Sequence, residues 1–375
     1  MTRILVLGGS GEMGSAAVAD LVERTDHEVT VGDIRPDAAS SLLRRLGAPE
    51  RVVRVDVDDP SSLATALVGT EVVLNATYMR HNVPVTDAAI AAGVHLVDLG
   101  SYYPETLQQL ERSALAEAAG CRIVPGCGVA PGLTNVLARL GAEALDAVHA
   151  IRLYSYITHP LWTSPGIVVT RFDASTGTTL VLEDGALVER PSFSDEERFT
   201  FPDPYGEQEV HLVPHPEPVT LSRYIDVPNV AFKVGYPADE TRRIRVLLEL
   251  GFDRGAPFEF DGVAVSPRGF AAAYIGARGI GPTDRSANVK QVCLDGVRDG
   301  RPVTLVYDFA VEQVGRSASS AITGTVAAIA TDIVARGGGR VGVHPPEGAF
   351  EPRPFIEALA ERGLTVSERE VARQA

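Results

Sequence analysis

Short apolar runs alternate with segments of helical period through the first third of the chain. Arg3–Leu7, Glu28–Val31, Val52–Val57, Glu71–Thr77, His95–Leu99 and Arg122–Val124 read as strands. Ser15–Glu23, Ser61–Leu67, Val85–Ala92 and Glu105–Ala119 read as the helices between them. Apolar strands separated by helices predict a parallel, doubly wound α/β sheet covered on both faces. Ligands in such sheets bind beyond the carboxyl ends of the strands. That rule singles out the loops 8–13, 33–35, 56–58, 75–81, 100–103 and 125–135.

The pattern changes near residue 147. Ile151–Ile157, Ile167–Val169, Thr179–Leu182, Val263–Val265 and Val303–Phe309 read as strands among frequent Pro and Gly. Thr241–Leu250 reads as a helix, and the polar, proline-rich stretch Arg190–Pro218 as an exposed excursion. From Ser317 a long helix rich in Ala, Ile and Val resumes, and Pro354–Arg362 forms a last one. Ser, Thr and Asp332 interrupt the stretch Ala318–Ala335, so it reads as a buried helix and not a membrane span. A helix this apolar needs a large surface to cover it. The expectation is a discontinuous dinucleotide-binding domain, residues 1–146 plus 317–375, with residues 147–316 inserted as an α+β domain.

Gly9, Gly11 and Gly14 fit G-x-G-x-x-G between the first strand and the first helix. The first glycine permits a tight turn, the second lets backbone approach a pyrophosphate, and the third lets helix and strand pack closely. Ser10, Glu12 and Met13 complete that loop, whose helix N-terminus offers unpaired N–H groups to phosphate. Asp33 ends the second strand 19 residues beyond Gly14. A carboxylate there accepts hydrogen bonds from the adenosine ribose and repels a 2′-phosphate. NAD is the expected cofactor, with NADP the alternative because Arg35 could pair with that phosphate. Ile34, Asp56, Val57, Asn75, Ala76 and Thr77, on the neighbouring strand ends, complete the expected cofactor site.

Composition narrows the class. The chain has 375 residues, 45% of them apolar and 22% charged, which suits two soluble domains. A net charge of −15 opposes binding to nucleic acid or to an anionic membrane. Lys233 and Lys290 are the only lysines; every other basic residue besides histidine is arginine. Cys121, Cys127 and Cys293 form no C-x-x-C pair, which points to a reducing, cytoplasmic setting without structural zinc. His159 and His211 lack spacing partners, so no metal site is expected.

Three strand-end loops carry candidate chemistry. Tyr78 and His81 follow the fourth strand, and histidine is the side chain most easily tuned to neutral pH. His81 is therefore the first candidate for general base, against a surface histidine near a helix start. Asp98 ends the fifth strand ahead of Tyr102, where it would orient a substrate nitrogen or serve as the base, unless it caps the next helix. Pro125–Asn135, with Cys127, Gly128, Pro131, Gly132 and Asn135, has the composition of a fixed loop able to hold a substrate carboxylate or to line the nicotinamide pocket. Cys127 reads as a pocket wall, since hydride transfer needs no thiol nucleophile. Farther on, Arg223 in the segment His215–Tyr224 is either a bidentate carboxylate clamp or a surface arginine.

Taken together, Gly9–Gly14, Ala89–Asp98, Gly128–Asn135, His215–Tyr224, Thr323–Ala328 and Gly342–Glu347 give the chain its family character. It resembles the saccharopine dehydrogenase-like oxidoreductases, most of all their lysine 6-dehydrogenase branch. The resemblance implies a Rossmann domain, an inserted α+β domain that binds substrate and supports a homodimer, and NAD(P)-linked oxidation at a carbon–nitrogen bond. The leading expectation is oxidation of a lysine-like amino acid through an imine to a semialdehyde. Reductive secondary-amine formation of the saccharopine or carboxyspermidine type is the alternative, and a non-catalytic dinucleotide-binding protein a third reading. Ser222 stands where the family usually has proline.

Overall fold

The computed structural model describes residues 1–158, 165–278 and 285–372. Six parallel strands open the chain: β1 (Arg3–Leu7), β2 (Glu28–Asp33), β3 (Val52–Arg54), β4 (Val72–Asn75), β5 (His95–Asp98) and β6 (Arg122–Val124). Their spatial order is β3-β2-β1-β4-β5-β6, and Gly342–Val343 adds a seventh strand beside β6. Ile4, Leu5, Val6 and Leu7 are at most 1% exposed. Side chains alternate between the faces of a strand, so both faces are covered. The chain reverses direction across this sheet between β1 and β4, which opens a crevice at their carboxyl ends.

The second sheet is mixed. Its order is Glu197–Phe201, Gly206–Leu212, Val230–Gly235, Ala147–Ile157, Arg285–Arg298, Arg301–Val314 and Ser367–Ala372. The hairpin Thr178–Glu183/Ala186–Pro191 branches from it at Val230. Val234 and Lys290 both pair with Ser155. The two-residue period therefore brings Ser155, Ile157, Phe232, Val234, Asn288 and Lys290 onto one face. A continuous buried cluster runs from Val6 and Val18 through Leu133 and Ala327 to Leu153, Phe232 and Leu294, so one core joins the two units.

Several expectations change. Ile167–Val169 belongs to the helix Pro165–Ser175, where tertiary packing of Val168, Arg171 and Phe172 overrides β-branched propensity. Arg190–Pro218 is not a simple excursion: two of its segments are paired strands, with Phe201, Val210 and Leu212 buried. Helix Ala318–Ala335 is apolar enough to qualify as a membrane span by length and composition, but 67% of it is buried in the protein. It packs on helix Glu12–Arg24 closely enough that a Cβ on Gly324 would stand 2.5 Å from Ala16 Cβ. The tail 317–375 does not all stay with the nucleotide unit, because Ser367–Ala372 pairs with Arg301–Val314 in the second sheet.

Candidate active site between the two sheets

The fingerprint loop has the geometry its glycines require. A Cβ on Gly14 would lie 2.3 Å from Gly8 O, and one on Gly9 would lie 2.7 Å from Val31. Gly11 instead leaves backbone open to a ligand, since a Cβ there would meet only Gly8 O, at 3.2 Å. Gly11 also caps helix Glu12–Arg24 without any side-chain hydrogen bond, leaving N–H groups for an anion. The Asp33 carboxylate accepts from Ser10 N at 3.1 Å, from Ser10 Oγ, and from Arg35 N at 2.9 Å. Asp33, Ile34, Arg35, Asp56, Val57, Ala76 and Thr77 line one pocket with Gly11. These residues fit the adenosine and pyrophosphate of a nicotinamide dinucleotide. Asn75, fully buried, supports them by accepting from Thr77 N (3.2 Å) and Thr77 Oγ (2.6 Å). Glu12 is turned away and accepts from Ser320 Oγ at 2.9 Å.

Met13 leads from this loop into a second cleft of about 190 Å³ between the sheets. Met79, Ser101, Tyr102, Val129, Ala130, Ser319 and Thr323 form its nucleotide-domain wall. Its floor is the second-sheet face, with Ser155, Phe232, Asn288 and Lys290, while His215, Arg171 and Asp173 close the sides. Lys290 is 3% exposed and its Nζ donates to Ser155 Oγ at 2.5 Å. Burial pulls this ammonium down to about 7, against the opposing field of Glu217. His215 stacks on Phe232 at 3.9 Å, and its Nδ1 meets Glu217 Oε2. Arg171 lies 4.1 Å over the Tyr236 ring and donates to its hydroxyl, while its buried Nε has no partner among the described residues. Burial lowers Arg171 to about 9.

Several residues expected in the site lie elsewhere. His81 shares a turn with Met79 but faces the adenosine pocket, 3.1 Å from Asp58. It does not line the cleft between the sheets. Asp98 is fully buried below the cleft, saturated by Gly100 N (2.7 Å), Gly126 N (2.9 Å) and Gln109 Nε2 (2.6 Å). It fastens three segments together and does not line the cleft. Tyr78 donates to Asp173 at 3.0 Å, behind the cleft wall. Cys127 is fully buried beneath that wall, its thiol raised well above its ordinary value by burial. Gly128, Pro131 and Gly132 shape the loop through backbone: Gly128 N donates to Pro131 O at 2.9 Å, and Val129 and Ala130 are what reach the cleft. Arg223 is exposed and bonds Val219 O at 3.2 Å, outside the cleft. His159 lies outside the described residues. His211 does have acidic neighbours, Glu196 and Glu209, but the Arg245 guanidinium pairs with both carboxylates.

Three segments distant in sequence meet behind the cleft. Thr134 Oγ lies 3.3 Å from Glu217 Oε1 and 3.3 Å from Asn135 Oδ1. Asn135 Nδ2 donates to Glu347 Oε2 at 3.0 Å and to Thr220 Oγ at 3.3 Å. Asn135 thus belongs to a buried network and not to a substrate contact. Sequence reasoning missed Lys290, His215 and Arg171. One signal was available for the first: Lys290 is one of only two lysines in a chain that otherwise uses arginine.

Residues 4–124 match the saccharopine dehydrogenase NADP binding domain, and residues 128–364 match the saccharopine dehydrogenase C-terminal domain. The chain belongs to the saccharopine dehydrogenase family. Among relatives in this family, carboxyaminopropylagmatine dehydrogenase of Synechocystis sp. is 23% identical over 391 residues, covering 97% of this chain and 96% of that one. The fold matches apo saccharopine dehydrogenase (L-Glu forming) of Saccharomyces cerevisiae with a TM-score of 0.77 at 18% identity, over 99% of this chain and 100% of the other. This saccharopine dehydrogenase family member is an NAD(P)-dependent dehydrogenase.

Proposed function

We propose that the protein catalyses reversible NAD(P)-linked oxidation of a carboxylate-bearing secondary amine, with Lys290 moving the proton. The observation that carries this is a lysine held near neutrality on the floor of a cleft that faces the end of the dinucleotide groove. A bound nicotinamide supplies the hydride acceptor. Neutral Lys290 Nζ takes the proton from substrate nitrogen as hydride leaves the adjacent carbon, giving an imine. Water adds to the imine carbon, the C–N bond breaks, and amine and carbonyl products separate. Ser155 orients Lys290, and the Arg171 side chain on the cleft wall suits a substrate carboxylate. His215, with Nδ1 tied to Glu217, lines the cleft and is placed to serve the water step.

The names of the two relatives favour a secondary amine over free lysine. Oxidation of lysine to its semialdehyde is the second reading, supported by the motif resemblance. A panel of secondary and primary amino-acid amines, run in both directions while NAD(P)H absorbance is followed, separates them. Turnover confined to primary amines favours the second reading, and no turnover with any member overturns both. The same proposal includes a homodimer, supported by exposed Phe258, Phe260 and Val263 on the hairpin Phe258–Val265 and by the exposed Phe270–Tyr274 stack. Sedimentation of Phe260→Asp as a monomer is its check. It also includes a cytoplasmic setting, consistent with three free, buried cysteines.

A further inference from the structure

Glu347 lies at the end of Gly342–Glu347, a family segment that the proposed chemistry leaves without a task. It is 1% exposed and does not line the cleft, and its Oε1 has no hydrogen-bond partner among the described residues. Its other oxygen takes the Asn135 amide. Asn135 cannot turn over freely, because its Oδ1 accepts Gly132 N at 3.1 Å and so fixes Nδ2 toward Glu347 and Thr220. Thr134, one residue earlier, holds Glu217. Glu217 in turn faces His215 directly and Lys290 through its field.

We propose that Glu347 is a positioning residue for the proton transfer, acting through Asn135, Thr134 and Glu217 on Lys290 and His215. The proposal rests on the reading of Lys290 as the proton carrier. Glu347 keeps a proton near neutrality: burial pushes it up to about 7, Glu217 adds to that rise, and hydrogen bonds from Thr220 and Asn135 oppose it. The groups facing Glu347 are Glu217, Cys127, Tyr224, Asn135, Thr220 and, on its own carbonyl at 3.1 Å, Arg139. Ser155 and Glu217 face Lys290. As pH rises, Glu347 ionises behind this network, and its charge favours retention of the Lys290 proton. Glu347 thereby broadens the range over which Lys290 becomes competent.

The test compares wild type with Glu347→Gln, Glu347→Ala and Lys290→Met, reading kcat, KM, cofactor affinity and the pH profile of oxidation. Glu347→Gln is expected to keep kcat at pH 6 within about threefold while its rise with pH steepens and moves down by about half a unit, as loss of a nearby acid requires. Glu347→Ala is expected to lose about tenfold in kcat through misplacement, with KM and cofactor affinity unchanged. If Glu347→Ala does not fold, the Gln profile alone decides. A Glu347→Gln profile superimposable on wild type, or equal loss of cofactor binding and kcat in both Glu347 variants, overturns the role. Turnover lost in Lys290→Met with an unmoved Gln profile overturns the role of Glu347 alone. Turnover retained in Lys290→Met overturns the reading of the cleft and this role with it.

Discussion

Lys290 Nζ lies 2.5 Å from Ser155 Oγ, the two residues facing one another on adjacent antiparallel strands. A sheet floor is a rigid mount, and rigid mounting of a proton carrier limits the reorganisation that transfer requires. Lys290→Met is expected to lower kcat by ~10²–10⁴, the usual loss of a general base, with cofactor affinity within about twofold. Lys290→Arg is expected to fail as fully, because guanidinium does not deprotonate near neutral pH. Steady-state kinetics with cofactor titration by fluorescence checks both.

The same lysine sets a stability prediction with a definite sign. Its folded-state value, about 7, lies below the ordinary 10.5, so between those limits the unfolded chain binds the extra proton. Wild-type stability therefore carries the full cost of burying this charge below about pH 7 and is relieved of it as pH approaches 10.5. Lys290→Met is expected to melt higher than wild type at pH 6, with the advantage vanishing toward pH 10. Calorimetry across that range tests it, and an advantage that grows with pH would contradict it.

Strand-helix alternation and the glycine spacing made the nucleotide sheet legible, because an apolar parallel strand and a phosphate-binding turn each leave a local pattern. Position at a strand end did not say where a side chain points. Met79 and His81 occupy one short turn, yet Met79 reaches the cleft and His81 the adenosine pocket. Asp98 stands at the expected strand end but points inward, where three donors saturate it. The floor of the cleft was hidden for another reason. Ser155, Phe232 and Lys290 come from three strands, and their meeting depends on register across the sheet, which spacing along one strand does not encode.

The placement of His81 has a direct consequence. His81→Ala is expected to retain kcat within about threefold, far from the ~10²-fold loss of a general base. Its hydrogen bonds to Asp58 and Arg80 border the adenosine pocket, so any effect belongs to cofactor affinity. A large fall in kcat at saturating cofactor would return His81 to the chemistry.

Gly132 stands at φ +124°, and a Cβ there would lie 1.9 Å from Gly128 O. Neither the backbone angle nor that carbonyl has room to yield, because Leu133 N bonds the same Gly128 O at 3.0 Å. Gly132→Ala is expected to destabilise the protein by more than ~3 kcal/mol, in the range of severe backbone clashes. Thermal melting measures it, and an unchanged melting temperature would place the loop in a different conformation.

Cofactor choice turns on Asp33. Its carboxylate is already aligned by Ser10 and by Arg35 N–H, 6% exposed at the end of β2. Ribose hydroxyls donate to such a group, whereas a 2′-phosphate beside it meets like charge. Arg35 Nε stands 3.8 Å from Asp33 Oδ1 with a largely exposed side chain, so removing the carboxylate frees a guanidinium at the same spot. Asp33→Ser is therefore expected to weaken NAD by ~1–3 kcal/mol, the loss of charge-assisted hydrogen bonds, and to improve NADP. Adding Arg35→Ala to Asp33→Ser is expected to cancel the gain in NADP. Dissociation constants for both cofactors across wild type and the two variants check this. Wild-type preference for NADP, with Asp33→Ser leaving NAD binding unchanged, would assign the ribose site to other residues.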